Sequence, residues 1–511
     1  MMRLVKKLSI RTQLMIIVSS SIAVMFVIAL YFYYEMANIR EHCSWVHSRE
    51  KEEATRKAQD LIRMSVARTH LLEPLEEFDL SVNKTAVVVG GGLSGMTGAL
   101  SLARQGFDVH LIEKEKELGG MARRLRTTLD GMDVQRYLAD MVRSIYQHPL
   151  VHVSHEATIT DVAGYVGNFT TTVNTEGRIK VIKHGAAILA TGALEYQPSE
   201  YRYGRDDRVL TQLELEERIH DGDDRLTRAE TLVMIQCVGC RNEERNYCSR
   251  ICCTHAIKNA LKLKDVNPEL NIYILFRDMR TYGFSENRYR DASDKGVMFI
   301  RYEPDNSPQV EAGEAEDGRP VLRTTVPDPI LGQRLAIDAD LLALSAAIIP
   351  SEETQVLCKL FKVALSPEGF FQEAHVKLRP VDFAAEGIFL CGTAHYPKHL
   401  SESISQAYGA AGRAAVLLSQ DTVRASGSVC EVDESKCISC GACITACTYG
   451  AIDFADTPHG RKARVIPVLC KGDGLCNSKC PTEAIQLKHY TDDEIIRQLD
   501  AAFPELSATA Q

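Results

Sequence analysis

Cysteine spacing near the C-terminus constrains the fold of this chain more than any other sequence feature. Seven cysteines between residues 437 and 480 fall into two short runs: Cys437, Cys440, Cys443, Cys447, Cys470, Cys476 and Cys480. Disulfide bonds are the alternative use for so many cysteines, but C-x2-C-x2-C spacing suits metal ligation better than pairing. Because three closely spaced thiolates fit three corners of one cubane, this region is predicted to fold around iron-sulfur clusters.

The two runs resemble the pattern of two-cluster bacterial ferredoxins, in which the fourth cysteine of each run ligates the other cluster. The resemblance implies that one 4Fe-4S cluster is held by Cys437, Cys440, Cys443 and Cys480. It assigns the second cluster to Cys447, Cys470, Cys476 and, in place of the usual cysteine, Asp473. Since a carboxylate is a harder and weaker iron ligand than a thiolate, the second site is predicted to hold either an Asp-ligated 4Fe-4S cluster or a 3Fe-4S cluster. A zinc ribbon is the alternative, but cysteines in this alternation do not form two tetrahedral zinc sets.

A glycine motif upstream predicts a dinucleotide-binding domain. The apolar strand 85–89 leads into Gly90, Gly92 and Gly95, a helix follows, and the next strand ends at Glu113. Gly90 permits the tight turn, Gly92 lets the backbone approach a pyrophosphate, and Gly95 lets the helix pack on the strand. The helix N-terminus attracts the phosphates, and Glu113 can accept a hydrogen bond from a ribose hydroxyl. The alternative is a glycine-rich loop that binds no ligand.

Segments farther along the chain favour FAD over NAD as the bound dinucleotide. A glycine pair follows Glu113, as in many flavoproteins where such a pair passes close to the cofactor. The segments HGAAILATGA and GIFLCGT resemble motifs of the thioredoxin-reductase-like, two-dinucleotide flavoprotein reductases. Those reductases usually have an acid after the last glycine, where this chain has a threonine. The residues that the resemblance assigns to FAD binding are Gly119, Gly120, Thr191, Gly192, Gly392 and Thr393.

The middle of the chain departs from that reductase pattern. Such enzymes carry a second glycine fingerprint, for the nicotinamide cofactor, between a strand and a helix. Here the strand 231–236 and the helix 255–264 are separated by CVGCRNEERNYCSRICC. We therefore predict that a metal site replaces the nicotinamide loop and that this domain binds no NAD(P)H.

The cysteine block also resembles the A-type subunit of heterodisulfide reductase, which is the flavin and iron-sulfur component of that enzyme in methanogens and many anaerobic bacteria. The resemblance rests on this block, on NIREHCSWVH and EEATRKAQDLIRM near the N-terminus, and on the motifs above, and it spans residues 36–511. It implies a 4Fe-4S cluster close to the flavin, with the ligands Cys237, Cys248, Cys252 and Cys253. It also implies that Lys258 is the catalytic residue at the flavin ring, where a cation stabilises the reduced, anionic isoalloxazine. A solvated helix lysine is the alternative. Cys240 is interpreted as a spare thiol more readily than as an alternative ligand, and Cys43 as a bystander.

By this resemblance the chain is an electron-transfer oxidoreductase that carries FAD and three iron-sulfur clusters. Related complexes bifurcate electrons at the flavin. The implied partners are subunits resembling B and C of the reductase, a hydrogenase or dehydrogenase donor, ferredoxin, and a second copy of this chain in a homodimer. The net charge of −9 argues against a nucleic-acid surface. Two alternatives stay open: a membrane-anchored redox sensor, and a stand-alone flavin oxidoreductase whose acid-base groups would be His395, Lys398 or His399.

The N-terminus conflicts with a purely cytoplasmic location. Residues 14–34 carry no charge and are long enough to span a hydrocarbon core as a helix, so they predict membrane contact. The basic residues before them would keep the N-terminus in the cytoplasm and send the redox domains, which are expected to be cytoplasmic, across the membrane. A translation start near Met36 or a gene fusion would resolve the conflict. By the resemblance, the chain lacks the N-terminal domain of full-length family members.

The predicted fold is α/β: a thioredoxin-reductase-like, two-dinucleotide-binding flavoprotein with a C-terminal α+β two-cluster ferredoxin domain and an N-terminal hydrophobic helix. Its predicted parts are a hydrophobic segment at 1–35, a helical lead-in at 36–80, an FAD-binding domain in two parts at 81–200 and 336–425, a former nicotinamide-type domain with an iron-sulfur site at 201–335, the ferredoxin domain at 426–488 and a C-terminal helix at 489–511.

Overall fold

The computed structural model describes residues 39–328, 332–425 and 427–503. They form two compact units: one runs from Leu80 to Val423, and the other combines the described residues before and after it. The predicted hydrophobic helix at 14–34 lies outside the described residues. In the described part of the chain, no helix is long and apolar enough to cross a membrane.

The larger unit contains two parallel five-stranded sheets, and the first is built on the glycine motif. Its strands are, in spatial order, Ile388–Leu390, Ala186–Leu189, Ala86–Val89, Val109–Ile112 and Val151–Ser154. The central strands are apolar and buried at every position, because both faces of the sheet are covered. Val88 packs among helices on one face, and Val87 packs against an antiparallel sheet on the other. The helices are Leu93–Ala103, Val134–Gln147 and Leu400–Leu418, and the antiparallel strands are Ala157–Tyr165, Asn168–Thr175 and Arg178–His184.

The second sheet repeats this plan. Its strands are, in spatial order, Val209–Thr211, Leu341–Ala346, Thr231–Val238, Asn271–Phe276 and Met298–Arg301, all parallel. Met234 packs among helices and Val233 against a second antiparallel sheet. The helices are Gln212–Asp221, Asp224–Arg228, Cys252–Val266 and Ser285–Asp294, and the antiparallel strands are Gln309–Glu314, Pro320–Asp328 and Gln333–Ala339. The larger unit thus contains two α/β domains of the same plan; that the second derives from a nicotinamide-binding domain stays a prediction.

One predicted boundary differs from the structure. The strand Leu341–Ala346 pairs within the second sheet, so the chain returns to the first domain after this strand and not at residue 336. The remaining elements of the larger unit are the paired strands Leu194–Glu195 and Ile348–Ile349, the helix Glu353–Phe361 and the 3-10 turns Gly120–Arg123, Pro304–Asn306 and Gly392–Ala394. The strands Phe78–Ser81 and Thr422–Ala425 lie where the chain passes between the units.

The smaller unit has a core made largely of cysteines. Buried and half-buried thiols from both C-terminal runs pack together with Ile452, Ile485 and Leu487. The strands Cys430–Val432 and Ile485–Leu487 pair antiparallel, as do Ile452–Thr457 and Gly460–Val465, and two short helices span Ala442–Ala446 and Leu475–Ser478. The other elements of this unit are the π-helical turn Arg40–Trp45 and the helices Lys51–Thr69 and Asp492–Ala502.

Both ends of the described chain meet in this smaller unit. The helix Lys51–Thr69 packs against Asp492–Ala502, and the Arg68 guanidinium lies 4.4 Å from the centre of the Tyr490 ring. His489 Nε2 lies 2.7 Å from the carbonyl oxygen of Glu73. The predicted lead-in and the C-terminal helix are therefore parts of the same unit as the cysteine-rich core.

Candidate functional site

A large cavity in the larger unit opens at the carboxyl ends of the first sheet's strands. Its volume is about 1720 Å³, and it is lined by the residues that follow four of these strands: Gly90, Glu113, Thr191 and Thr393. In open α/β sheets, ligands bind at this end of the strands. The cavity therefore lies where the sequence predicts a dinucleotide.

The surroundings of the three glycines show why two of these positions require glycine and what the third leaves open. A Cβ on Gly90, whose φ is +104°, would lie 2.4 Å from the carbonyl oxygen of Ala190. A Cβ on Gly95 would lie 1.8 Å from the carbonyl oxygen of Gly90, so only glycine lets the helix pack on the strand. Around Gly92, which lines the cavity, a Cβ would meet nothing within 4 Å. That open face, at the N-cap of the helix Leu93–Ala103, leaves room for a phosphate near unpaired N–H groups.

The buried carboxylate of Glu113 is engaged with backbone groups of the turn. One oxygen accepts a hydrogen bond from the Gly91 N–H at 2.6 Å, and the other accepts from the Glu115 N–H at 2.9 Å. Each carboxylate oxygen has a second lone pair. The predicted contact between Glu113 and a ribose hydroxyl stays a prediction.

Thr191 carries a buried polar atom that lacks a partner. Its Oγ1 makes no hydrogen bond to any described residue, and the residue lines the cavity. Buried hydroxyls are normally paired, because an unpaired one costs about 1–3 kcal/mol. After a rotation about its Cα–Cβ bond, the hydroxyl would be a candidate contact for a ligand atom in the cavity.

Of the other predicted FAD residues, Gly119, Gly120, Gly192 and Thr393 line the cavity, whereas Gly392 does not. Gly119 and Gly120 have φ values of +119° and +51°, and a Cβ on Gly120 would lie 3.4 Å from the Gly92 Cα. A Cβ on Gly192 would lie 3.8 Å from Thr393 Oγ1, so the two later motifs are neighbours. The Gly392 N–H donates to the side-chain oxygen of Gln406 at 3.0 Å.

Lys258 lies in the cavity wall in a buried ionic network. Its Nζ is 2.7 Å from Glu216 Oε2 and donates to the Thr127 carbonyl at 2.9 Å, and His255 Nε2 is 2.7 Å from the same Glu216 oxygen. Burial lowers the pKa of Lys258 and, by itself, would raise the pKa of Glu216. The His255 hydrogen bond and the Lys258 charge outweigh burial and lower the pKa of Glu216 to about 2. Lys258 is therefore not a solvated helix lysine, although its catalytic role stays a prediction.

The side chains considered as acid-base groups of a stand-alone oxidoreductase are engaged in hydrogen bonds within the protein or are buried. Lys398 lines the cavity, but its Nζ donates to the carbonyls of Gly392 and Tyr396 at 2.5 and 2.7 Å. Burial lowers the pKa of Lys398 to about 7. His395 lies 2.9 Å from Glu373 Oε2 and 2.7 Å from the Gln406 amide nitrogen. His399 lines the cavity, and its pKa is lowered by burial.

The predicted middle cysteine site lies between the strand Thr231–Val238 and the helix Cys252–Val266. Burial and the charges of Cys253, Cys237 and Cys248 raise the pKa of Cys252. Protein donors approach their sulfurs: the Arg250 N–H donates to Cys248 Sγ at 3.3 Å, and an Arg241 N–H to Cys237 Sγ at 3.8 Å.

Cys240 is buried within this same group. Its hydrogen bond to Cys237 lowers the pKa of Cys237 to about 6. Within residues 39–328, 332–425 and 427–503, no group of three or more His, Cys, Asp or Glu side chains is arranged to hold a single metal ion. A 4Fe-4S cubane takes one protein ligand at each of its four iron atoms, so its ligands need not surround a single point. The assignment of Cys237, Cys248, Cys252 and Cys253 as cluster ligands stays a prediction.

The C-terminal unit brings the predicted ligands of the first ferredoxin cluster together. A small cavity there is lined by Cys437, Cys440, Cys443 and Cys480. For the second cluster, Cys447, Cys470 and Cys476 belong to the unit's core. Asp473 is exposed, and its Oδ1 accepts from the Leu475 N–H at 3.2 Å.

Sequence reasoning missed one thiol in this unit. Cys430 is only 4% exposed, its Sγ lies 3.4 Å from Cys476 Sγ, and its N–H donates to Cys470 Sγ at 3.5 Å. Cys430 lies seven residues before Cys437 and belongs to neither of the two cysteine runs, so the spacing of the runs did not indicate it. Only the pairing of its strand with Ile485–Leu487 brings it to the core.

Two family profiles match segments of this chain, and several known proteins match most of its length. The family profile described as an NAD(P)-binding Rossmann-like domain matches residues 88–156, and that of a 4Fe-4S dicluster domain matches residues 436–484. An A-type iron-sulfur subunit of the CoB–CoM heterodisulfide reductase of Methanopyrus kandleri is 33% identical over 577 aligned positions, which cover 93% of this chain and 85% of that protein. The A-type subunit of the H2:CoB–CoM heterodisulfide,ferredoxin reductase of Methanothermobacter marburgensis is 31% identical, with coverages of 93% and 84%.

Among solved structures, thioredoxin reductase from Lactococcus lactis is 17% identical with a TM-score of 0.46, covering 66% of this chain and 99% of that chain. The dicluster match confirms the predicted C-terminal ferredoxin domain. The predicted N-terminal truncation gains no support from these alignments.

Proposed function

Because the chain belongs to the family of A-type subunits of heterodisulfide reductases, we propose that it is the FAD and iron-sulfur electron-transfer subunit of a heterodisulfide-reductase-like complex. It is an oxidoreductase. The observation that carries the proposal is a single helix, Cys252–Val266, which serves both candidate sites. Its first turn holds Cys252 and Cys253, and the following turn presents His255 and Lys258 to the cavity.

That helix sets a short path between the cysteine group and the cavity. Cys253 and Lys258 are five positions apart, which corresponds to about 7.5 Å along a helix axis at 1.5 Å per residue. The two sites therefore share one rigid element. Such proximity supports direct electron exchange between a cluster on the cysteines and a flavin in the cavity.

The residues at the cavity fit a flavin dinucleotide. The backbone at Gly92 and the N-terminus of the helix Leu93–Ala103 would receive the pyrophosphate, and the unpaired Thr191 hydroxyl would bind a polar cofactor atom. FAD, when bound, supplies a centre that takes up electrons in pairs and releases them singly. Lys258, fixed by Glu216, would hold a positive charge beside that centre and favour its reduced, anionic form.

The cysteine groups would carry electrons to and from the cavity. We assign one cluster to the group at Cys237, Cys248, Cys252 and Cys253, and two clusters to the C-terminal domain. The names of the relatives, which include heterodisulfide and ferredoxin, support partners of those two kinds. We infer that a hydrogenase or dehydrogenase supplies the electrons, that subunits resembling B and C reduce the disulfide, and that the flavin bifurcates electrons towards ferredoxin in a homodimeric core.

Anaerobic purification with its partners tests this function. The expected preparation contains one FAD and about twelve iron atoms per chain, from three cubane clusters. It reduces ferredoxin only in the presence of the partner subunits. A lone chain that turns over NAD(P)H, or one with far less iron, would contradict the proposal. Replacing Cys253 by serine should lower the iron content by about one to four atoms per chain, the iron of one cluster. The flavin content should stay unchanged, because Cys253 does not line the cavity. A serine in place of the half-buried Cys358, outside every predicted site, is the matched control.

A further inference from the structure

The second cluster of the ferredoxin domain is short of one thiolate. Its predicted ligands in the sequence motif are Cys447, Cys470 and Cys476, with Asp473 at the fourth position. We propose that Cys430, which lies outside the motif, supplies the fourth thiolate of this cluster in place of Asp473. The proposal rests on the proposed function, because it presumes that the C-terminal domain carries two clusters.

Cys430 is held at this site by its strand. The strand Cys430–Val432 pairs antiparallel with Ile485–Leu487, with Cys430 opposite Leu487. Because side chains alternate along a strand, Cys430 faces the core while Glu431 faces solvent. The thiol lies 3.4 Å from Cys476 Sγ, and the backbone N–H of the same residue donates to Cys470 Sγ. A one-residue slip of the strand would remove this thiol from the site.

The Asp473 carboxylate is hydrogen-bonded to a backbone N–H group. It is exposed, and its Oδ1 accepts from the Leu475 N–H at 3.2 Å, at the start of the helix Leu475–Ser478. Short polar side chains commonly satisfy the free N–H groups at such helix starts. Iron in iron-sulfur clusters also prefers thiolate to carboxylate donors. A buried thiol beside two ligands is therefore the better donor.

The internal repeat of this domain gives an independent comparison. Gly441 and Gly474 precede equivalent short helices with φ values of 76° and 71°. The sulfurs of Cys447 and Cys480 each accept a hydrogen bond from the N–H four residues later, at 3.3 and 3.2 Å. The two cysteine runs thus have the same local structure, and positions in one half have counterparts in the other.

The counterpart of Cys430 is an alanine. Cys430 precedes the first cysteine of its run by seven residues, and Ala463 precedes Cys470 by the same number. Ala463 is 5% exposed and lines the small cavity formed by the four cysteines of the first cluster. A thiol there is unnecessary, because the first cluster has a complete cysteine set. The extra cysteine thus occurs in the half of the repeat that faces the incomplete set.

Iron analysis of the full chain, purified anaerobically with its flavin, tests this assignment. Wild-type protein should contain about twelve iron atoms per chain, with no three-iron spin-resonance signal after mild oxidation. Cys430→Ser should lower the count by about one and produce a three-iron signal, because only three thiolates remain at the second cluster. Asp473→Ala should leave both the iron count and the spectrum as in the wild type. Cys358→Ser controls for the loss of a cysteine elsewhere.

A rescue experiment covers the case in which Cys430→Ser disturbs folding. The double variant Cys430→Ser/Asp473→Cys restores a thiolate at the ordinary motif position, so it should recover about twelve iron atoms and lose the three-iron signal. Cys440→Asp is the matched variant in the other half: without a counterpart thiol at Ala463, it should lose iron from the first cluster.

Several results would overturn the assignment. They are a three-iron cluster already present in the wild type, a three-iron signal in Asp473→Ala with none in Cys430→Ser, and failure of the double variant to recover iron. A wild-type chain without flavin or iron-sulfur clusters is a separate outcome, because it would refute the proposed function itself.

Discussion

Replacing Thr191 by valine should have opposite effects on the protein without cofactor and on cofactor binding. The Thr191 Oγ1 is buried and makes no hydrogen bond to a described residue, although the residue lines the cavity. An unpaired buried hydroxyl costs about 1–3 kcal/mol. Valine has nearly the same shape and lacks this polar atom. The flavin-free variant should therefore be more stable than the flavin-free wild type by up to about that amount.

The same substitution should weaken FAD binding. If the Thr191 side chain rotates to pair its hydroxyl with the cofactor, the wild type would regain the cost of the unpaired hydroxyl on binding, whereas the variant has no such gain. At 1.4 kcal/mol for each factor of ten, a difference of about 1–3 kcal/mol corresponds to a roughly 5-fold to 150-fold weaker Kd. Anaerobic calorimetric titration of the flavin-free protein measures the Kd, and chemical denaturation of the same sample measures its stability.

Thr97→Val provides the matched control. Thr97 is also buried, but its Oγ1 donates to the Leu93 carbonyl at 2.8 Å within the helix Leu93–Ala103, and it does not line the cavity. We expect this variant to lose about 1 kcal/mol of stability with or without flavin and to bind FAD like the wild type. If Thr191→Val destabilises the flavin-free protein as Thr97→Val does, the hydroxyl has a partner and the reasoning fails.

Three further predictions concern the same unit. Glu216→Gln leaves the buried Lys258 ammonium of the cavity wall without its carboxylate partner and should lower the free energy of unfolding by about 3–5 kcal/mol. Glu217→Gln, whose partner Arg124 is half-exposed, should cost less than about 1 kcal/mol; equal losses in urea unfolding would contradict this. Burial lowers the pKa of Lys398 from 10.5 to about 7, so between these pH values the unfolded chain binds more protons. The stability of the wild type relative to Lys398→Met should then rise with pH, by up to about 1.4 kcal/mol per unit, and a flat or falling difference would refute the assignment. Gly95→Ala places a Cβ 1.8 Å from the Gly90 carbonyl oxygen, so it should cost about 1–3 kcal/mol or more by overpacking and reduce flavin content; an unchanged melting temperature with full flavin would argue against this packing.

The glycine turn was predictable because its constraints are local. Gly90 has a positive φ, and Gly95 meets the turn only five residues away, so both requirements are written into one short segment. The C-terminal ferredoxin domain was predictable for the same reason, since three closely spaced cysteines in one run fit three corners of one cubane. In both places a few neighbouring residues determine the geometry.

Contacts between distant segments could not be read from the sequence. Glu216 comes from the helix Gln212–Asp221 and meets Lys258 through the packing of two helices on one sheet. Cys430 reaches the core only through the register of its strand with Ile485–Leu487. No local spacing encodes either pairing. The extent of the second sheet was misplaced for a related reason, because the strand Leu341–Ala346 is as apolar as the strands of the first sheet and its partner is set by topology.

The proposed cluster at the middle cysteines would take the place that a nicotinamide loop has in a dinucleotide domain. In a dinucleotide domain, the helix after the first strand directs its N-terminus, with free N–H groups and a partial positive charge, at a pyrophosphate. In the second sheet of this chain, the corresponding helix is Cys252–Val266, and its first turn carries Cys252 and Cys253. A helix N-terminus favours thiolates as it favours phosphates, because both are anions. The proposed exchange would keep an anion at the helix N-terminus, although burial raises the pKa values of Cys252 and Cys253 and so opposes their ionisation before a cluster binds. Since the same helix carries Lys258 to the cavity of the first sheet, a cluster in the position of a soluble hydride donor would be held close to the proposed flavin site.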